Sequence, residues 1–146
     1  MDVANNPNLF VFVSQQSFEA TCEALPLHTV ANKFGVLHLH DLKATMAKKG
    51  VEFGPRVNVY EVCNPVKAKN VLESNLVFNL ALPCRVSVWE DGSEVKIGMM
   101  RPSVILPMLG VSTPELHAEA EEVERTLRKI ITLSASPAAE AAEGAK

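Results

Sequence analysis

The first half of the chain contains short segments whose hydrophobic pattern predicts strands. Leu9 to Val13 is apolar throughout, which is typical of a strand covered on both faces. Residues 36–41 and 57–63 alternate instead, and alternation predicts strands with two different faces. In the first of these, Val36, His38 and His40 should share one face, and Leu37 and Leu39 the other.

Helical spacing separates these strands, and each predicted helix has a recognisable first residue. Ser17 predicts an N-cap, followed by one apolar face of Phe18, Cys22 and Leu25, until Pro26 kinks or ends the helix. Asp41 should cap a short helix over residues 42–49. The pairs Asn64-Pro65 and Thr113-Pro114 place a cap before a proline at the first helical position. The last helix has an apolar face formed by Leu116, Ala120, Val123, Leu127 and Ile130.

Asp91-Gly92 predicts a β-hairpin with a two-residue type I′ turn between strands 85–90 and 94–99. Val88 would then face Val95, and Val86 would face Ile97. In the same register Cys84 lies opposite Met99, on the apolar side of the hairpin.

The length of 146 residues predicts one domain that can bury a core without disulfides or metal. We expect this domain over residues 9–132. Residues 1–8 are polar and Asn-rich, which predicts a flexible lead-in. Residues 133–146 are rich in Ala and Glu, which predicts a disordered tail.

Composition excludes several classes of protein. The net charge of -3, from 14 basic and 17 acidic residues, gives no electrostatic case for nucleic acid. No apolar run approaches the ~20 residues of a membrane span. We therefore expect a cytoplasmic protein that does not enter the membrane. Its three cysteines should be reduced thiols, since an odd number argues against a complete disulfide framework.

Cys63 and Cys84 are the first candidates for chemistry. Cys63 precedes a predicted helix N-terminus, whose positive end can lower a thiol pKa, and Cys84 begins a strand. Together they suggest a reactive or ligand-holding thiol pair. The alternative, which the pattern favours, is that both pack as small apolar residues. The chain has no C-x-x-C sequence, which would have been a stronger signal.

His38 and His40 share a strand face, and with Cys63 and Cys84 they would supply the nitrogen and sulfur ligands of a zinc site. Their spacing does not indicate such a site, so solvent-facing imidazoles are the favoured interpretation, and the sequence assigns no cofactor. It contains no Gly-rich phosphate loop, H-E-x-x-H or G-x-S-x-G motif. These absences modestly favour a protein that is not an enzyme.

Three segments together resemble a known family: GVLHLHDLKATMAKKGVEFGP, VYEVCNPVKAKNVLE and LALPCRVSVWEDG. Their Cys-Asn-Pro and Leu-Pro-Cys-Arg motifs are similar to the small prokaryotic family known as domain of unknown function 302. The resemblance covers roughly residues 10–131. It implies a TATA-binding-protein-like α+β fold, with an antiparallel sheet and helices on one face, and a homodimer. It implies no reaction, and His38 and His40 depart from the polar pair that family members tend to carry there.

The first functional hypothesis is a homodimer that binds a small molecule or a partner in a groove between sheet and helices. The residues expected at that groove are Cys63, Asn64, Pro65, Cys84 and Arg85, with Arg85 contacting an anion or the other subunit. The alternative is a thiol-based sulfur or redox carrier, or a soft-metal-binding protein, that uses Cys63 and Cys84.

Overall fold

The computed structural model describes residues 5–110 and 112–137, and within them five strands form one fully antiparallel sheet. Their order across the sheet is β1-β5-β4-β3-β2, so the first two strands in sequence form its edges. The strands are β1 (Leu9–Val13), β2 (Gly35–Asp41), β3 (Val57–Cys63), β4 (Cys84–Asp91) and β5 (Glu94–Met100).

Four of the helices begin where the sequence predicts them. Ser17, Asp41, Asn64 and Thr113 each accept a hydrogen bond from a backbone amide of the following first turn. The helices are α1 (Phe18–Ala31), α2 (Leu42–Lys48), α3 (Pro65–Ser74), α4 (Pro102–Ile105) and α5 (Pro114–Ala135), with 3-10 helices at Leu76–Ala81 and Pro107–Leu109. The predicted α+β single domain with an antiparallel sheet and helices is confirmed.

Buried apolar residues form two clusters. The main core lies between the sheet and the helices α1 and α5, and includes Leu25, Val86, Ile97, Ile130 and Ile131. We call the other the second cluster; it is formed by Val71, Phe78, Leu106, Leu116 and Ala120. The predicted apolar face of α5 contributes to both clusters, so this helix joins them.

Pro26 does not end α1, because the helix continues through it to Ala31. Proline has no amide hydrogen to donate to the Cys22 carbonyl, four residues earlier. The hydroxyl of Tyr60, on β3, donates to that carbonyl at 3.2 Å. A tertiary contact thus satisfies the group that the proline leaves without a helical donor.

The predicted hairpin register is wrong by two residues. Asp91 pairs with Glu94, so Gly92 and Ser93 form the turn, and Val88 faces Ile97 rather than Val95. Gly92 has a φ of +63° while Ser93 does not have a positive φ, which is the pattern of a type II′ turn. Because the shift is two residues, each side chain stays on its predicted face of the hairpin. Cys84, however, no longer lies opposite Met99 as predicted.

A bulge in β2 corrects the predicted faces of that strand. Val36 pairs with Val62 and His38 with Glu61, which leaves Leu37 as the extra residue. Val36 therefore packs against the main core, whereas His38 and His40 lie on the sheet face away from the helices.

The predicted start of the C-terminal tail needs correction. Leu133, Ser134 and Ala135 are buried in the last turn of α5, so the predicted tail cannot begin at residue 133. At the other end, Arg101 donates hydrogen bonds to the Pro7 and Asn8 carbonyls, and the flexible lead-in stays a prediction. The rest of the predicted tail, from residue 138, and residues 1–4 lie outside the described residues.

Candidate functional site

A groove of about 540 Å³ opens at the end of the sheet where β4 begins and β5 ends. Residues 80–83 form one wall, α4 and Leu109 form the other, and Leu127 of α5 contributes to its lining. Most of the lining is apolar. Its polar contributors include Glu61 and Arg85, and the thiol of Cys84 also lines it.

The second cluster ties the two walls together. Leu106, from the α4 side, packs in the same buried cluster as Phe78, from the 3-10 helix that leads into the opposite wall. Phe78 is fully buried, while Leu76 and Leu80 of the same 3-10 helix are 74% and 75% exposed. The wall is therefore anchored by one side chain and leaves its neighbours open to solvent.

A buried carboxylate holds the start of α4 against α5. Glu124 Oε1 accepts from the Ser103 hydroxyl at 2.6 Å, and Glu124 Oε2 accepts from Arg101 Nε at 3.3 Å. Arg128 approaches the same carboxylate at 3.5 Å. Burial alone would raise the pKa of Glu124, but the hydrogen bonds from Ser103 and Arg101 outweigh it and lower the pKa. Glu124 thus fixes the position of one wall of the groove.

The two motif cysteines approach one another without forming a disulfide. All three cysteines are free thiols, and Cys63 and Cys84 line the same small cavity of about 30 Å³. Cys84 also faces the larger groove, so its side chain lies between the two spaces. The structure therefore brings the predicted pair together at one end of the sheet.

Both of these thiols are poor sources of thiolate at neutral pH. Burial, with a smaller contribution from the charge of Cys63, raises the pKa of Cys84 to about 11. Burial also raises the pKa of Cys63, which is opposite to the effect expected from the neighbouring helix N-terminus. Desolvation disfavours a charged thiolate, and burial is the cause of the shift at Cys63.

Asn64 and Pro65 have local structural roles. The side chain of Asn64 accepts from the amides of Val66 and Lys67 at 3.0 and 3.2 Å, and Pro65 occupies the first position of α3. Asn64 also lines the small cavity beside Cys63. These two residues fix the direction in which the chain leaves β3 and so help to position Cys63.

Arg85 is exposed at the edge of the groove, directly across from Glu61 on β3. Within residues 5–110 and 112–137, its guanidinium has no hydrogen bond or ion pair. The Glu61 carboxylate instead lies 3.3 Å from Nε2 of His40. The groove therefore has an uncommitted cation at its edge.

The imidazoles do not assemble with the thiols. The rings of His38 and His40 lie 4.3 Å apart, on the sheet face away from the helices. Cys84 pairs with the buried Val62 and lies on the helix side. Among the described residues, no group of three or more His, Cys, Asp or Glu side chains is placed to hold a metal. Cys84 therefore lies on the opposite side of the sheet from the two imidazoles, and the four side chains considered as zinc ligands do not converge in the described structure.

The sequence interpretation missed most of the groove. The apolar segments 76–82 and 104–109 contain no motif that predicts a site, and the spacing of Leu127 predicts only a helix face. The sequence signal for the groove walls lies in composition. Both segments are apolar and adjoin prolines, and they contain large apolar side chains that the fold does not bury. Leu80 and Met108 are 75% and 76% exposed.

Comparisons with known proteins agree with the fold. The family model described as Domain of unknown function DUF302 matches residues 10–133. The crystal structure of an uncharacterized conserved DUF302 protein from Bacillus stearothermophilus is similar, with a TM-score of 0.80 and 28% sequence identity. That similarity covers 87% of this chain and 98% of the other. No curated protein matches the chain. Among the described helices, none has both the length and the apolar composition needed to cross a bilayer.

Proposed function

The chain belongs to the family described as Domain of unknown function DUF302, and from that premise we propose that it is a small-molecule-binding module rather than an enzyme. The groove supports this proposal, since about 540 Å³ lies within the roughly 300–1,000 Å³ typical of ligand sites. Its lining combines many apolar side chains with a few polar groups, as such sites do. The thiol in its wall has a raised pKa and suits a packing role better than a nucleophilic one.

Binding of a neutral apolar fluorophore, Nile red, tests this function. Leu80→Asp places a charge in the groove wall, and losing a leucine contact of roughly 1.5–3 kcal/mol should weaken binding about tenfold or more. Leu76→Asp is the matched control, because Leu76 is equally exposed on the same 3-10 helix but does not line the groove. Wild type that fails to bind, or Leu80→Asp that binds like wild type, would overturn the proposal.

The module is proposed to work as a homodimer joined through the open face of the sheet, the face away from α1 and α5. Alternation places several apolar side chains there instead of the polar ones usual on a solvated face. Val13 and Met100 are 50% and 60% exposed, and Trp89 and Val57 are partly buried. A second copy packed on this face would remove them from water.

Sedimentation equilibrium tests the dimer. Ser87 lies in the middle of the open face, on the central strand β4, so Ser87→Arg should obstruct a second copy and yield a monomer. Ser93→Arg, in the exposed turn, should leave the association constant unchanged. A wild-type monomer at high protein concentration, or a fully dimeric Ser87→Arg variant, would contradict this arrangement.

A thiol-based sulfur or redox carrier is the second candidate, favoured by one observation: Cys63 and Cys84 line the same small cavity. A carrier requires an accessible thiolate near neutral pH. Iodoacetamide labelling at pH 7, located by peptide mass spectrometry, separates the two functions. Prompt alkylation of either residue supports the carrier. Labelling that becomes appreciable only as the pH approaches 11 supports packed thiols in a binding module.

A further inference from the structure

We propose that the groove selects an amphiphile with an apolar chain and a carboxylate head, and that Arg85 binds the head. This inference rests on the proposed ligand-binding function and adds the class of ligand. It has two independent supports: the division of the groove into an apolar interior and a polar edge, and the charge available at that edge.

The interior of the groove is suited to a hydrocarbon chain. Both walls contribute aliphatic side chains, and Leu127 supplies a buried aliphatic surface between them. The remaining contributors along this path are Leu80, Ala81, Leu82, Ile105, Leu106 and Leu109. A chain lying against them would gain about fourfold in affinity for each CH2 removed from water.

The edge of the groove supplies a cation with no partner of its own. Arg56, Arg101 and Arg128 each lie within 4 Å of a carboxylate, whereas Arg85 has no such partner in the described part of the chain. A guanidinium presents paired N–H donors that match the two oxygens of a carboxylate. Arg85 is therefore able to bind an anionic head without first breaking an ion pair.

Glu61 determines which kind of anion the edge favours. Its carboxylate lies across the strand pair from Arg85 and lines the same groove. His40 Nε2 lies 3.3 Å from Glu61 Oε1, so Glu61 has neighbours on both β2 and β4. Its negative charge still opposes a doubly charged phosphate more strongly than a singly charged carboxylate. The geometry thus favours a carboxylate over a phosphate monoester.

Displacement of Nile red by four amphiphiles of equal chain length tests the assignment: dodecanoate, dodecanol, dodecyl phosphate and dodecyltrimethylammonium. Wild type should bind dodecanoate about ten- to a hundredfold more tightly than dodecanol, the effect of a charge-assisted hydrogen bond. Arg85→Gln should abolish that preference and leave dodecanol affinity unchanged. Arg125→Gln removes the same charge from an exposed position on α5 and should keep the preference.

The outcomes separate this inference from the proposed function. If dodecanol binds as tightly as dodecanoate, the head-group assignment is overturned while the groove remains a binding site. Tighter binding of dodecyl phosphate or of the ammonium compound would also overturn it, as would an Arg85→Gln variant that retains the carboxylate preference. If neither Nile red nor any of the amphiphiles binds, the proposed function fails as well.

Discussion

The main core and the groove contain the same types of aliphatic side chain, but the core buries them and the groove leaves some of them exposed. Leu25 in the main core is fully buried, whereas Leu80 in the groove wall is 75% exposed. The proposed binding function would use this exposed apolar surface of the groove.

Buried polar groups in the main core and beside the groove also differ in where their hydrogen-bond partners lie. In the main core, the hydroxyls of Thr21, Thr29 and Ser134 are buried and donate to carbonyls four residues earlier in their own helices. Near the groove, the buried carboxylate of Glu124 reaches across elements to Arg101 and Ser103. These three core hydroxyls are thus satisfied within one helix turn, while the groove wall depends on a long-range contact that a single substitution can remove.

The largest effect should come from deleting the same atoms in the two regions. Leu25→Ala should lower the free energy of unfolding by about 2–5 kcal/mol, because it leaves a cavity in an enclosed core. Leu80→Ala should change it by no more than about 0.5 kcal/mol, because the side chain is already in water. Urea denaturation followed by circular dichroism measures both. Equal losses would show that the groove wall is packed in solution.

Glu124→Gln should destabilise the protein by about 2–3 kcal/mol, the cost of losing hydrogen bonds to charged groups. Since the pKa of Glu124 is lowered on folding, its contribution is fully present above the ordinary value of 4.5. The contribution disappears as the pH falls through the lowered pKa. The gap between wild type and Glu124→Gln, measured by urea denaturation from pH 7 to pH 3, should therefore narrow in acid.

Glu121→Gln is the control for that experiment, because Glu121 is exposed on the same helix. It should match wild type within about 0.5 kcal/mol at every pH. A Glu124→Gln variant whose deficit is constant with pH would mean that the carboxylate charge does not hold the wall.

Tyr60→Phe tests how the main core accommodates Pro26. Removing the hydroxyl leaves the Cys22 carbonyl without its donor and should cost about 1–3 kcal/mol. In a Pro26→Ala background, the new amide can donate to that carbonyl, so the same substitution should cost less. A double-mutant cycle from thermal or urea unfolding gives the coupling. Additive effects would show that the hydroxyl does not replace the missing helical hydrogen bond.

Local chemistry is what the sequence predicted well. The caps at Ser17, Asp41, Asn64 and Thr113 depend on residues within three positions, and all four form as predicted. The apolar face of α5 is equally local, since one helix turn determines it. The resemblance to the family motifs added the prediction of an α+β architecture.

Long-range contacts account for what the sequence could not supply. Pro26 continues a helix because Tyr60, 34 positions later, offers a hydroxyl, and no window around the proline contains that information. The groove arises where segments 80–85 and 100–109 meet, and each alone looks like an apolar connection. Arg85 and the two cysteines could be nominated from motifs, but their common position at one end of the sheet required the fold.

The hairpin turn, at the end of β4 opposite the groove, gives the smallest predicted effect. Gly92 has a φ of +63°, and a side chain there is strained, so Gly92→Ala should cost roughly 1 kcal/mol in the free energy of unfolding. Gly54→Ala, in open space and without a positive φ, should change stability by less than about 0.5 kcal/mol. Because the turn and the groove lie at opposite ends of β4, Gly92→Ala should bind Nile red as wild type does. Weakened binding would mean that the groove and the rest of the sheet are not separable, and the contrast between an enclosed core and an open end would have to be abandoned.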